Sequence, residues 1–451
     1  MNGKNPKPTL YIPIEVKSRE LESQIYLACI AVKLGFRVYL GSQLAINLIV
    51  KNKKSFGGIF LDKGGISDFW PLVKNKCDAI ALLDQELSPA INDSRTLKRE
   101  IPKRFINDNH FLCDKFFVAG PIIANAMIEF LGERNERVIE TGWPRVELWR
   151  KFSKLEFGHT QDFSLLNLPS YLLYASDIGV ISTKRIEAMK KLIANADTLQ
   201  HERDYYDLSY SENLYRVFKE IVETLKIWDN NPDVPFIVVR PHPSEDTSVW
   251  EKELSGLSKT KVINHGSISQ WLDQSIGLIH RTCTTAIEAT IKGKLILNFA
   301  SKNEDLAGNI SVRLSDYEVS DSTHPTHAVI DSQIYSKFES KQEILKSILS
   351  TNLESAESIA QECLDMIRHA EPVIGKSILF RSKFSISYIK NSLGYFRWEV
   401  SWKLGKTPLE PPSISLPGGI RENDVGRILS SLDFSEEFSY SKVMKNLWKF
   451  E

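Results

Sequence analysis

What the sequence lacks excludes several large classes of protein. No stretch of its 451 residues approaches the ~20 consecutive apolar residues of a membrane-spanning helix. The five cysteines are scattered without a C-x-x-C pair, which is typical of reduced thiols and indicates neither a disulfide framework nor a zinc site. Basic and acidic side chains balance at 57 each, so no net charge attracts nucleic acid. The start of the chain carries no signal-peptide hydrophobic region, and we expect a cytoplasmic protein.

Common catalytic motifs are missing as well. The sequence contains no G-x-G-x-x-G, G-x-x-x-x-G-K-[ST], G-x-S-x-G or H-E-x-x-H. The sequence therefore lacks the motifs that are typical of dinucleotide oxidoreductases, P-loop hydrolases, α/β-hydrolases and zincins. No D-x-D occurs either, so a metal-bridged sugar-diphosphate site on two neighbouring aspartates is not indicated.

What is present is an alternation of strands and helices, which predicts an α/β fold whose parallel sheets are covered on both faces. Predicted strands in the first part of the chain cover residues 9–16, 37–41, 58–61, 79–83, 116–119 and 138–141. The alternation restarts near residue 170, with strands at 171–175, 236–240, 262–264, 276–280 and 295–299. We predict a domain at 1–165, a second at 166–335, and helical C-terminal segments at 336–451 that pack back on the core and end in a short helical tail.

Two polar segments follow apolar strands of the second predicted domain. Arg240 and His242 belong to an Arg-Pro-His-Pro turn whose prolines fix the backbone on both sides of the imidazole. Ligands of open α/β sheets bind at the carboxyl ends of strands, so this turn is placed to hold a phosphate. The alternative is a rigid turn with a solvent-facing histidine.

The second segment runs from His280 through Arg281 into Thr284 and Thr285 at the start of a helix. Free backbone N–H groups, hydroxyl side chains and the positive end of the helix dipole together favour an anion. Glu288, one turn further, is placed to reach a ribose or base, or to cap the first turn. Ordinary N-capping by Thr284 is the alternative to an anion site.

Charged residues also follow strands of the first predicted domain. Candidates for a general base or nucleophile are the carboxylates Glu15, Asp84 and Glu86, and candidates for the rest of a cleft are Arg19, Glu20 and Arg145. Helix capping and solvated charge are the alternative roles for such residues.

These motifs together resemble the bacterial surface carbohydrate biosynthesis protein family. PIEVKSREL at 13–21 and GFRVYLG at 35–41 resemble its opening, and LLDQE at 82–86 is similar to its acidic strand-end motif. Its T-G-x-P-R turn is similar to 141–145, where Trp143 stands in place of a commonly small polar residue. The RPHP turn and the T-x-x-x-E-A helix at 284–289 resemble the nucleotide-binding half of that family and of capsule-type Kdo transferases. They resemble, more distantly, the CDP-glycerol-using polymerases of cell-wall polymers.

The resemblance implies a GT-B glycosyltransferase, with two Rossmann-like domains facing across a cleft and no required metal or other cofactor. A nucleotide sugar, in the first instance a CMP-activated Kdo-like ulosonic acid, would bind the second domain through Arg240, His242, Arg281, Thr284, Thr285 and Glu288. A glycan or lipid-linked acceptor would enter over the first domain, where Glu15, Asp84 or Glu86 would act as base or nucleophile.

Other functions remain open on the sequence alone. They are a transferase of UDP-sugars or CDP-polyols, a UDP-sugar epimerase of the same fold, and a non-catalytic sugar-nucleotide-binding partner. Residues 396–406 mix Trp, Phe, Lys and Arg, a composition suited to contact with the inner face of the membrane, but an amphipathic packing helix that closes the fold is the preferred interpretation.

Overall fold

The chain divides into two structural units. The computed structural model describes residues 7–52, 57–64, 69–85, 94–151, 168–179, 208–326 without 244, 303 and 305, 338–369 without 353, 400, and 416–451 without 417 and 436. The first unit takes its described residues from Met1–Thr160, Gln342–Lys390 and Leu416–Glu451, and the second from Gln161–Lys341 and Asn391–Ser415. The predicted domain limits at 165 and 335 lie outside the described residues.

Strands and helices alternate as predicted. The strands are β1 (Thr9–Ile14), β2 (Arg37–Ser42), β3 (Ile59–Asp62), β4 (Ala79–Leu83), β5 (Lys115–Val118), β6 (Val138–Glu140), β7 (Tyr171–Ala175), β8 (Phe236–Arg240), β9 (Thr260–Val262), β10 (Gly277–His280), β11 (Leu295–Phe299), β12 (Tyr317–Val319), β13 (Tyr440–Met444) and β14 (Leu447–Phe450). The α-helices are α1 (Lys17–Lys33), α2 (Gln43–Asn52), α3 (Trp70–Lys74), α4 (Ser94–Lys103), α5 (Pro121–Leu131), α6 (Pro144–Lys151), α7 (Leu208–Asp229), α8 (Thr247–Glu253), α9 (Ile268–Gln274), α10 (Thr285–Ile291), α11 (Ile310–Arg313), α12 (Phe338–Ile348), α13 (Ser355–His369) and α14 (Glu422–Ser431).

The first unit is built on one sheet of order β13-β14-β2-β1-β3-β4-β5-β6. Strands β1 to β6 are parallel, and β1 lies between β2 and β3. The strand order therefore reverses at β1, and the crevice at the carboxyl ends of β1 and β3 is the topological switch point of this sheet.

The second unit has a parallel sheet of order β12-β11-β10-β7-β8-β9. Counted from β7 as the first strand, this is the 3-2-1-4-5-6 order of nucleotide-binding Rossmann folds, and its switch point lies between β7 and β10. The structure thus confirms the prediction of an α/β protein with two Rossmann-like parallel-sheet units and additional helices.

The second sheet is covered on both faces, and its strand β7 is apolar along its whole length. All five residues of β7 are buried. Leu172 and Tyr174 pack in one core cluster with Phe218 of α7, while Leu173 packs on the opposite face in a cluster with Trp271 of α9. The two-residue alternation of a strand assigns each side chain to its face.

The end of the chain differs from the prediction of a short helical tail. Helix α14 is present, but it is followed by the antiparallel hairpin β13–β14, whose last strand pairs with β2. Asn446 adopts a φ of 60° in the turn between these strands, and Leu447, Trp448 and Phe450 are buried. A turn residue that tolerates positive φ, followed by apolar side chains, explains why a strand rather than a helix forms here.

The remaining sequence predictions concern contact with a membrane. The aromatic and basic segment at 396–406 lies outside the described residues except for Val400. In the part of the chain that the structure describes, no helix combines the length and apolarity needed to cross a bilayer.

Candidate functional site

Two loops meet at the switch point of the second unit. One follows β7 and carries Asp177, and the other follows β10 and carries Thr282. The Asp177 carboxylate accepts hydrogen bonds from the Thr282 backbone N–H (2.8 Å to Oδ2) and from the Thr282 hydroxyl. The carboxyl ends of the two strands that flank the crevice are thereby joined.

Arg281 lies in the same cluster and its charge is already compensated. Its guanidinium NH1 is 3.3 Å from both carboxylate oxygens of Glu304, and its Nε is 3.6 Å from Asp177 Oδ1. The Arg281 side chain is only 7% exposed. With two carboxylates around one guanidinium, this part of the site does not favour an anion.

Glu245 stands two residues after the RPHP turn and holds the loop after β7 through hydrogen bonds. Its carboxyl accepts hydrogen bonds from Ser176 Oγ (2.7 Å), Gly179 N (3.0 Å) and Trp250 Nε1 (2.7 Å). Burial outweighs these donors and raises the pKa of Glu245 to about 8. At neutral pH this carboxyl is therefore predominantly protonated, unlike an exposed glutamate.

Polar residues at the ends of β8 and β10, among them the predicted phosphate ligand Arg240, are engaged elsewhere in the fold. The Arg240 guanidinium donates to the carbonyls of Ile263 (3.0 Å), His265 (2.6 Å) and Gly266 (2.9 Å), and burial lowers its pKa to about 10. His280 is fully buried with Nε2 3.0 Å from Ser315 Oγ, and burial lowers its pKa to about 4, so it is neutral. Neither Arg240 nor His280 therefore directs a positive charge toward a ligand.

Glu288 and Thr285 are also turned into the protein. Glu288 is 1% exposed and lies 3.1 Å from Lys292 Nζ, which in turn lies 2.6 Å from Asp273 of α9. Thr285 is 8% exposed, with its hydroxyl 3.1 Å from the Cys283 sulfur. Glu288 therefore braces two helices, where the sequence had suggested a ribose or base contact or a cap.

His242 and Thr284 keep part of their surface exposed to solvent. His242 is partly exposed beyond the end of β8, and Thr284 is exposed beyond the end of β10. Strand β7 lies between these two strands, so their ends are two strand spacings apart, about 10 Å. The two residues thus flank the switch-point cluster on its two sides.

The switch point of the first unit holds a chain of ion pairs. Lys63 follows β3, is 4% exposed, and contacts the carboxylate of Glu15 directly; its Nζ is 3.1 Å from Glu20 Oε1. Glu20 is fully buried and also accepts the backbone N–H of Glu15 at 2.9 Å. Arg19 lies 3.4 Å from the same carboxylate. In this cluster the Glu15 side chain is half exposed, so its carboxylate is held on one side and open on the other.

The other candidates of the first unit differ in accessibility. Asp84 is 2% exposed and lies 3.2 Å from the Arg104 guanidinium. Glu86 lies outside the described residues. The Arg145 guanidinium is stacked over Trp143 at 5.0 Å and Trp149 at 5.3 Å from the ring centres. Of the candidate carboxylates Glu15 and Asp84, which both lie in the described part of the chain, Glu15 is the one with a solvent-facing side.

Four polar residues of the two switch points do not stand out in the sequence as site candidates: Lys63, Asp177, Glu245 and Glu304. Lys63 and Asp177 stand within two residues of the ends of predicted strands, the same signal that singled out Glu15 and Arg240. Glu304 has no such signal, because it follows β11 by five residues and reaches Arg281 only through the fold. Across the described ranges, no group of three or more His, Cys, Asp or Glu side chains is arranged to hold a metal ion.

Comparison with known proteins yields structural likeness only. No protein-family model and no curated protein sequence matches the chain. The wall teichoic acid polymerase TagF matches with 12% identity over 81% of this chain and 90% of that one, at a TM-score of 0.42. A putative UDP-N-acetylglucosamine 2-epimerase from Listeria monocytogenes matches with 11% identity over 83% and 100%, at 0.46. The UDP-GlcNAc 2-epimerase from Methanocaldococcus jannaschii matches with 12% identity over 80% and 100%, also at 0.46. Matches of this strength assign neither a family nor a ligand to the chain.

Proposed function

We propose that the chain is a glycosyltransferase that binds a nucleotide-activated sugar at the switch point of its second unit. The observation that supports this most strongly is the sheet order around β7, together with the polar cluster at the carboxyl ends of β7 and β10. Sheets of this order bind nucleotides in the crevice beyond these ends.

His242 and Thr284 are the proposed phosphate ligands. Both are accessible, and both lie outside the carboxylate-rich centre of the cluster. An imidazole and a hydroxyl offer hydrogen bonds to a phosphate oxygen without a metal ion. Arg240, Arg281, Thr285 and Glu288 would then support the loops that carry these ligands.

Glu15 is the proposed general base of the transfer step. In this step a hydroxyl of the acceptor attacks the anomeric carbon, the bond from that carbon to the phosphate oxygen breaks, and the hydroxyl proton passes to the Glu15 carboxylate. Contact with the Lys63 ammonium holds one carboxylate oxygen of Glu15 in place and leaves the other side of the carboxylate to solvent. Glu15 is preferred to Asp84 because its side chain is half exposed, whereas Asp84 is buried against Arg104.

The finer assignments rest on the sequence motifs. These are a CMP-activated ulosonic acid as donor, a glycan or lipid-linked acceptor, independence of metal, action in surface polysaccharide synthesis, and a cytoplasmic location at the inner face of the membrane. UDP-sugars and CDP-polyols are the alternative donors. The motifs favour the CMP-linked donor because they resemble the nucleotide-binding half of capsule-type Kdo transferases.

The test of this function compares turnover and binding in Glu15→Gln. We expect kcat for nucleotide release in the presence of acceptor to fall about 10²- to 10⁴-fold, because the base is lost. Nucleotide affinity should stay unchanged, since Glu15 belongs to the first unit. Glu133→Gln, at an exposed position of the same unit, serves as the control.

Two outcomes would contradict the proposal. Full turnover by Glu15→Gln would remove Glu15 as the base. Release of an epimerised sugar by the unmodified protein without any acceptor would replace transfer with epimerisation.

A further inference from the structure

Glu20 is a buried carboxylate that is connected to Glu15 in two ways. It lies in the first turn of α1 and is 0% exposed. Its Oε2 accepts the backbone N–H of Glu15 at 2.9 Å, and its Oε1 lies 3.1 Å from Lys63 Nζ. The same Lys63 ammonium contacts the Glu15 carboxylate. One buried side chain is thus connected to both the backbone and the side chain of the proposed base.

Lys63, the second member of this connection, is itself fixed by the fold. It directly follows β3, the neighbour of β1 in the sheet, and is 4% exposed. Its backbone N–H donates to Asp62 Oδ1 (2.8 Å), and its carbonyl accepts the backbone N–H of Gln85 (3.2 Å). Separation of the ammonium from the Glu20 carboxylate would leave buried charge poorly compensated, so these two groups stay together. Buried groups therefore set the position of the ammonium that Glu15 contacts.

This arrangement restricts the conformations of the Glu15 side chain. An exposed glutamate has several staggered rotamers, and contact with a fixed ammonium selects those that point toward Lys63. Half of the Glu15 side chain stays exposed, so the carboxylate remains open on its other side. A general base needs such a restriction, because a displacement of about 1 Å can lower a rate about 100-fold.

Helix capping is the simpler role for an acid in the first turn of a helix. It accounts for one of the two contacts, since the N-cap residue Val16 makes no side-chain hydrogen bond and Glu20 supplies an acceptor nearby. It does not account for the lysine that joins Glu20 to the carboxylate of Glu15. Because Glu20 is not exposed, any effect it has on the reaction passes through these neighbours.

We propose that Glu20 is a positioning residue, which places the Glu15 carboxylate for proton transfer through Lys63 and through the backbone of Glu15. The inference rests on the proposed function, in which Glu15 is the general base, and adds a residue that determines how well this base works. It gives Glu20, which the sequence suggests as part of a cleft, a role that needs no contact with substrate.

A double-variant cycle of kcat separates positioning from a purely structural role. Nucleotide release is measured from CMP-Kdo, UDP-N-acetylglucosamine and CDP-glycerol with water as the acceptor, which a general base also activates. Glu20→Met removes both acceptor oxygens and leaves Glu15 as a partner of Lys63; we expect kcat to fall about 10- to 100-fold, with the donor KM within about threefold. In the Glu15→Gln protein the same substitution should change kcat by less than about twofold, because the group that is positioned has already been replaced.

Glu147→Met is the matched control. Glu147 is 2% exposed in the same unit and likewise accepts one backbone N–H, from Ala356 at 2.9 Å, and one lysine, from Lys151 at 2.7 Å. It also accepts the hydroxyl of Tyr26 at 2.7 Å. Since these contacts do not involve Glu15, the Tm of Glu147→Met should fall while its kcat stays within about twofold of the unmodified protein.

The outcomes separate this inference from the function on which it rests. An equal fall of kcat with and without Glu15, or an unchanged kcat in folded Glu20→Met, overturns the inference alone. Full turnover by Glu15→Gln, or release of nucleotide from none of the three donors by the unmodified protein, overturns the proposed function. If Glu20→Met does not fold, Glu20→Gln keeps one acceptor oxygen and should lower kcat in the same direction, again only while Glu15 is present.

Discussion

At the residue scale, neighbouring carboxyl groups of the second unit serve different purposes. Asp177 accepts two hydrogen bonds from Thr282 on one oxygen and faces Arg281 with the other. Glu245 is more deeply enclosed, and burial raises its pKa to about 8. Glu245 thus acts as an uncharged support for the loop after β7, while Asp177 joins that loop to the loop after β10.

The raised pKa of Glu245 predicts a pH dependence of stability. The folded protein holds a proton on this carboxyl up to about pH 8, whereas the unfolded chain releases it near the ordinary glutamate pKa of 4.5. Unfolding therefore releases a proton between these values, and Glu245 contributes a fall in stability of up to about 1.4 kcal/mol per pH unit as pH rises.

Glu245→Gln tests this, since glutamine cannot ionise. At pH 5.5 we expect the variant to be less stable by about 1 kcal/mol, for one lost hydrogen bond. Its Tm should fall less than that of the unmodified protein between pH 5.5 and 8.5. Thermal unfolding at four pH values checks this, with exposed Glu251→Gln as the control. Parallel pH profiles for Glu245→Gln and the unmodified protein would contradict the raised pKa.

At the scale of elements, ion pairs brace helices α9 and α10. Lys292 is 4% exposed and lies 3.1 Å from Glu288 of its own turn and 2.6 Å from Asp273 of α9. Removal of the ammonium leaves the Glu288 carboxylate buried without compensation, which is more damaging than removal of both partners.

We accordingly predict that Lys292→Met lowers the free energy of unfolding by about 3–5 kcal/mol. The double variant Glu288→Gln/Lys292→Met should recover a large part of this loss. Lys226→Met, which breaks an exposed pair with Glu223, should cost less than about 1 kcal/mol. Urea unfolding of the four proteins measures these differences; equal losses at Lys292 and Lys226 would contradict the bracing role.

The same elements show what the sequence could and could not predict. Strand β8 and its polar end were predictable from the apolar run before Arg240. The use of Arg240 was not, because its partners are carbonyls of residues 263–266, whose path depends on the whole fold. The spacing of Glu288 and Lys292 does indicate an ion pair within one helix. This indication competes with the ribose contact that the sequence suggests for Glu288.

At the scale of the whole molecule, alternation of strands and helices predicted two parallel-sheet units, but not the order of their strands. Both switch points became visible only from the pairing of β1 with β2 and β3, and of β7 with β8 and β10. The contribution of β13 and β14 to the first sheet is also non-local, since β14 pairs with β2 about 400 residues earlier. Local sequence patterns do not carry information of this range.

Loss of the terminal hairpin should reduce the protection of backbone amides against hydrogen exchange in the first unit only. Deletion of residues 439–451 removes Leu447, Trp448 and Phe450, which are at most 1% exposed. At about 1.5–3 kcal/mol for each buried side chain, the first unit should lose on the order of 5 kcal/mol of stability. Hydrogen–deuterium exchange should show faster exchange in β1 and β2 and unchanged exchange in β7 to β10. Unchanged protection of β2 would contradict the observed pairing.

The measurement that tests the central claim most directly is a calorimetric titration of CMP, CDP, UDP, UMP and GDP without metal. It is carried out on the unmodified protein, on His242→Ala and on His369→Ala, which alters an exposed histidine of the first unit. The account predicts selective binding of one nucleotide, with affinity about 10- to 100-fold lower in His242→Ala alone, because a phosphate hydrogen bond is lost. Binding of none of the five, or equal affinity in all three proteins, would contradict a nucleotide site at the switch point of the second unit.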